Sequence, residues 1–96
     1  MATIDFVRAH GTSKQDAVKR THKLVERLAL ERPEMVKAIT WLEAGAHATG
    51  RGFKGAFDVT DQELVIAIDL KLYALPFKKR VKTRLAQWLS EEFGSG

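Results

Sequence analysis

The sequence predicts an α+β fold, a two-layer sandwich in which a mainly antiparallel sheet carries two helices on one face. Three observations lead there. From Val36 to Leu72 apolar and polar residues alternate through four short runs, the period-two mark of half-buried strands. On either side, from Thr12 to Arg32 and from Pro76 to Phe93, apolar residues return at helical spacing. A fifth alternating run stands at the start of the chain, so the element order is β-α-β-β-β-β-α.

The first strand spans Thr3 to Val7, with Ile4 and Phe6 on one face and Thr3, Asp5 and Val7 on the other. Gly11 breaks it, and Thr12 or Ser13 caps the first helix, with Gln15 or Asp16 three residues on. Ala17, Thr21, Leu24, Val25 and Leu28 form that helix's inner stripe, and Pro33 ends it at about Arg32. Val36 to Leu42 is the second strand, carrying Ile39 and Trp41 on one face, and Ala44-Gly45 is its turn. Ala46 to Gly50 and Gly55 to Val59 follow, separated by a turn over Gly50 to Phe53, with Phe57 and Val59 inward. After a turn at Thr60 to Gln62, the comb Leu64, Ile66, Ile68, Leu70 and Leu72 is the expected central strand. Pro76 opens the last helix, where its missing N–H costs nothing, and Phe77, Val81, Leu85, Trp88, Leu89 and Phe93 are its inner stripe. The core is expected to join Ile66, Ile68 and Leu70 to Leu24, Leu28, Val81, Leu85 and Trp88.

The other sheet face presents Asp5, Thr40, Lys54, Asp58, Asp69 and Lys71 among the small residues Ala38, Ala56 and Ala67. Such a face is either solvated or a shallow groove or homodimer surface.

At 96 residues the chain has room for one domain, expected over 1–93, with Gly94-Ser95-Gly96 as a frayed tail or a cloning remnant. Without cysteine there is no disulfide, thiolate metal site or cysteine nucleophile, which suits a reducing cytoplasm. The start, Met-Ala-Thr-Ile-Asp-Phe, lacks the pattern of a secretory signal, and no apolar run approaches the ~20 residues of a membrane span. A soluble, cytoplasmic, unprocessed protein with no transmembrane insertion is the expectation. A net charge of +4 and a pI near 9.6 suit an anionic partner without requiring one.

Gly50-Arg51-Gly52-Phe53-Lys54-Gly55 matches G-x-G-x-x-G, but the dinucleotide version needs a helix after the glycines and here a strand follows. The kinase version needs a lysine on the next strand, a catalytic loop and a far longer chain. Glycines serving a tight hairpin are the simpler account. Arg51-Gly52-Phe53 also opens like an RNA-recognition octamer, yet Gly55 stands at its next aromatic position; an exposed Phe53 beside Arg51 and Lys54 would still be able to stack on a base. His10, His22 and His47 fall on three different elements without ligand spacing, and no serine lies on a nucleophile elbow. The sequence therefore offers no catalytic residue, metal site or cofactor site, and a non-enzymatic protein is expected.

The last helix is anomalous. Lys78, Lys79, Arg80, Lys82 and Arg84 crowd its first half and Glu91 and Glu92 its end, against the helix dipole. This is either a solvated face or an anion-facing surface. Tyr73 and Leu75 stand just upstream, and if exposed they would pair an apolar knuckle with the basic helix, which suits a lipid-coated surface. The same cations would serve a small nucleic-acid-binding protein.

Taken together, Ile4-Asp5-Phe6 with His10 and Ala17, Trp41, the middle residues Gly52, Gly55, Phe57 and Val59, the comb Leu64 to Leu70, and Leu75, Phe77 and Val81 resemble a small bacterial family, the polyhydroxyalkanoic acid system or granule-region proteins. The similarity runs from Thr3 to Phe93; the family pattern often has a leucine after the histidine, where this chain has Gly11-Thr12. The resemblance implies a cytoplasmic protein linked to storage-polyester granules or to their biosynthetic gene regions, with no established enzyme activity and no catalytic residues to carry over. Its expected partner is a granule surface or a granule-associated protein, contacted through Tyr73, Leu75, Lys78, Lys79, Arg80, Lys82 and Arg84.

Overall fold

The computed structural model describes residues 4–93, so the predicted start of the first strand at Thr3 and the tail at 94–96 lie outside the described residues. Five strands and two α-helices follow the predicted order: β1 Ile4–Ala9, α1 Lys14–Glu31, β2 Ala38–Leu42, β3 Gly45–Gly50, β4 Phe53–Val59, β5 Glu63–Leu70 and α2 Lys78–Phe93, with a 3-10 helix, Leu72–Phe77, leading into α2. All strand pairs are antiparallel, in the order β1-β5-β4-β3-β2.

Strand periodicity commits one sheet face to the core. The rows Ile4–Ile68–Gly55–Ala48–Ile39 and Phe6–Ile66–Phe57–Ala46–Trp41 cross the sheet beneath the helices. Against them pack Ala17, Leu24, Val25 and Leu28 of α1 and Val81, Leu85, Trp88 and Leu89 of α2, so the expected core residues all lie in one cluster. The row Asp5–Ala67–Ala56–His47–Thr40 lies on the opposite, uncovered face. Ser13 caps α1 by accepting the Asp16 N–H at 3.2 Å, and Arg32 ends it as the C-cap, donating its N–H to the Leu28 carbonyl.

Several details differ from the sequence reading. β5 is interior, paired on both sides, but the middle strand is β4. The strand ends at Leu70, because β4 begins with Phe53 opposite Leu70 and offers nothing further on; Lys71 N–H still reaches the Gly52 carbonyl, and Leu72 then turns out into solvent. Pro76 sits inside the 3-10 turn, and α2 starts two residues later. Phe77 is consequently exposed instead of joining the inner stripe. Phe53, the candidate stacking residue, is the first residue of β4 and is buried. β2 begins at Ala38, since Val36 N–H is held by the Arg32 carbonyl in the connection. That connection packs so tightly that a Cβ on Gly50 would sit 1.5 Å from the Met35 carbonyl oxygen, so only glycine fits there.

Candidate functional site

At the end of the sheet where β5 stops, the 3-10 turn, the β3–β4 turn, the α1–β2 connection and the first turns of α2 come together. Ala74 is the buried pin of the 3-10 turn, with its N–H on the Lys71 carbonyl. The residues around it point outward: Leu72 is 85% exposed, Tyr73 61%, Phe77 43% and Leu75 38%. Tyr73 lays its ring over Gly52, whose φ of +73° suits a glycine and whose missing Cβ leaves room for the ring atoms. The predicted knuckle of Tyr73 and Leu75 is therefore at the surface, enlarged by Leu72 and Phe77.

The five basic residues of α2 are all exposed, and among the described residues none of them forms an ion pair. The helix separates them. Lys79, Arg80 and Arg84 line a shallow cavity of about 530 Å³ together with Arg32, Pro76 and Thr83. Lys78 and Lys82 do not line it. Arg32, the C-cap of the antiparallel α1, is the cation that the sequence reading missed; its contact with Glu34 is long, at 3.6 Å. No acidic residue occupies the first turn of α2, so the positive end of the helix dipole adds to these charges instead of being neutralised. Next to the cavity a hollow of about 580 Å³ has Met35, Tyr73, Ala74 and Phe77 as its apolar lining and Glu34, Lys37 and Arg51 on its border. One end of the molecule thus carries exposed apolar side chains and uncompensated cations side by side. Glu34 is the acidic residue on the rim of this end, while Glu43 and Asp61 in turns and Glu91 and Glu92 closing α2 stand at the far end.

The histidines stay apart and serve structure or solvent. His10 is buried; its Nδ1 accepts the Thr12 N–H at 3.2 Å, which leaves Nε2–H to donate to the Thr60 carbonyl at 2.9 Å. It therefore clips the β1–α1 loop to the β4–β5 turn. His10→Ala should lower stability by about 1–3 kcal/mol through the orphaned Thr12 and Thr60 groups, as read from a denaturant melt, and leave surface binding unchanged. His22 contacts the Gly45 carbonyl at 2.9 Å and meets Trp41 edge-on at 4.8 Å between centroids. His47 stands exposed on the open face, 4.0 Å from Asp58. Among the described residues no three His, Cys, Asp or Glu side chains converge as a metal site would require. A second hollow of about 740 Å³, between α1 and the β2–β3 turn, is lined by Lys14, Gln15, Val18, Lys19, His22, Glu43 and Ala44. Among the described residues no helix is long and apolar enough to cross a membrane.

Neither the curated proteins nor the solved structures contain a match to the chain. A family model does match, that of the "Putative polyhydroxyalkanoic acid system protein" family, over residues 4–93. The match takes in every strand and both helices, including the apolar and basic end, and by it the chain belongs to the polyhydroxyalkanoic acid system protein family.

Proposed function

We propose that this protein is a non-enzymatic, cytoplasmic accessory component of polyhydroxyalkanoate storage that docks on the granule surface. Leu72, Tyr73, Leu75 and Phe77 enter the apolar layer while Arg32, Lys79, Arg80 and Arg84 face anionic groups at its boundary, with Lys78 and Lys82 flanking them. The observation that carries this reading is the meeting, at one end of the fold, of four exposed apolar side chains and a cavity lined by cations. A solvated basic face would need no apolar knuckle beside it, and a phosphate-binding surface alone would not gain from one.

The test is co-sedimentation with isolated granules, beside duplex-DNA affinity, at low and at physiological salt. Replacing Lys79, Arg80 and Arg84 by glutamate should reduce granule retention at least tenfold, since each cation near an anionic surface contributes about 1 kcal/mol. The unaltered protein should keep an appreciable part of its retention at physiological salt, because apolar burial is not screened. Tight DNA binding whose logarithm falls with log salt at a slope of about −0.9 per phosphate contact, without granule retention, would replace this reading by nucleic-acid binding. Indifference of both assays to the triple reversal would reduce the basic helix to a solvated face.

A further inference from the structure

Docking uses Arg32, Lys79, Arg80 and Arg84 only as positive charge, yet the fold sets these side chains apart from its other guanidiniums. Arg8 donates to the Ser90 hydroxyl at 3.4 Å, Arg20 pairs with Asp16 at 2.9 Å and Arg27 with Glu91 at 2.8 Å, so those three are committed within the molecule. Among the described residues Lys79, Arg80 and Arg84 have no ion-pair partner, and Arg32 has only its contact of 3.6 Å with Glu34. They line one cavity from two sides, Arg32 at the end of α1 and the others on α2. Lys79, Arg80, Thr83 and Arg84 reach it together because helix positions three and four apart share a face.

The composition of the cavity selects among anions. A guanidinium presents a rigid planar fork of N–H donors that takes two oxygens of a carboxylate or phosphate at once. One such fork uses up a carboxylate, which has only two oxygens. The terminal phosphate of a phosphomonoester has three oxygens and close to two negative charges at neutral pH, so several forks can share it. Two carboxylates stand near the four cations: Glu34 beside Arg32, and Glu31 in the wall of a smaller hollow of about 30 Å³ behind Arg32 and Arg84. The positive excess that remains is of the size a phosphomonoester carries. Thr83 adds a hydroxyl to the lining. Trp88 lines the smaller hollow, and its Nε1–H is buried without a partner among the described residues, so this wall keeps a donor that the protein does not itself satisfy.

We propose that this cavity is a phosphomonoester site, in which Arg32 on one side and Arg80 and Arg84 on the other hold the terminal phosphate, with Lys79 and Thr83 completing the ring of donors. In taking that phosphate from a lipid headgroup the proposal rests on the docking reading, since the exposed Tyr73 and Phe77 border the neighbouring hollow, where they meet the lipid's acyl region. Recognition of the phosphate itself rests on the cavity alone. A phosphodiester headgroup offers two terminal oxygens and one charge, so the site prefers a monoester lipid to a diester lipid even where the total surface charge is equal.

Heteronuclear NMR of the full chain reads the site, with glycerol 3-phosphate as the soluble probe and acetate at equal ionic strength as the reference. Glycerol 3-phosphate should shift the amide resonances of Arg80, Thr83 and Arg84 to saturation, and acetate should not. Arg32→Gln with Arg84→Gln should weaken that binding by about tenfold or more, because each lost guanidinium removes charge-assisted hydrogen bonds. A second pair, Arg80→Gln with Arg84→Gln, leaves the end of α1 untouched and should show the same loss. Lys23→Gln with Lys54→Gln removes equal charge from exposed positions outside the cavity and should change binding less than about twofold. Phosphatidylcholine vesicles containing phosphatidic acid should retain the protein about fivefold better than vesicles containing phosphatidylglycerol at matched surface charge. A saturable response to glycerol 3-phosphate without preference between the vesicles would overturn the lipid source and assign the site to a soluble phosphate ester. Equal responses to glycerol 3-phosphate and acetate, or equal losses in the cavity and control pairs, would overturn the site and leave docking to be decided by granule retention. A saturable response in a protein that isolated granules do not retain would uphold the site and remove docking.

Discussion

Ile68→Ala is expected to lower the free energy of unfolding by about 2–5 kcal/mol, a large part of what a domain of this size has. Ile68 is fully buried in β5, with Ile4 of β1 on one side and Gly55 of β4 on the other. Gly55 has no side chain to lean into a new cavity, and the rings of Phe53 and Phe57 already close over it. Collapse around the truncated side chain is therefore limited, which favours the upper half of that range. Val65→Ala on the same strand is the matched control. It removes methyl groups from the uncovered face, where Val65 is only partly buried, and should cost under about 1 kcal/mol. Denaturant melts of the two variants read the difference directly. Equal losses would mean that β5 does not have one committed face and that the register is wrong.

The face assignment was legible in the sequence because a sheet packed on one side forces a period of two on every strand, and a one-residue slip would have turned Ile66, Ile68 and Leu70 to solvent. What escaped the pattern depends on neighbours that sequence order does not reveal. Leu72 continues the alternation of the comb, yet β4 turns away at Arg51-Gly52 and leaves it no strand to lie beside. Phe77 continues the stripe of α2, but it closes the 3-10 turn ahead of that helix, whose different period turns it outward. Trp41 faces the helices, and only the placement of α1 over β3 and β4 shows that it is left half-covered, met edge-on by the His22 ring of α1. Tyr73, Leu75 and the basic residues of α2 were marked by local composition. Arg32 was not, because its membership of the cationic cavity follows from the antiparallel approach of α1 and α2, a contact between residues far apart in the chain.

Replacing Leu72 and Phe77 together by serine should lower retention on granules by roughly a hundredfold while leaving the fold intact. Each side chain, if it passes from solvent into an apolar layer, contributes about 1.5–3 kcal/mol, reduced in Phe77 by the part already covered in the free protein. Leu72 is the more exposed of the two and should carry the larger share. Because neither residue belongs to the buried cluster, denaturant midpoints should move little, which separates a binding defect from an unfolding one. The loss should also differ in kind from that of the Lys79, Arg80 and Arg84 reversal. Added salt weakens the remaining interaction of the serine variant more than that of the unaltered protein, since charge then holds a larger share of it beside Tyr73 and Leu75, whereas whatever interaction the reversed variant keeps is mainly apolar and resists salt. Retention that is unchanged in Leu72→Ser with Phe77→Ser would show that these side chains stay in water on the granule, and docking through this end of the molecule would have to be abandoned.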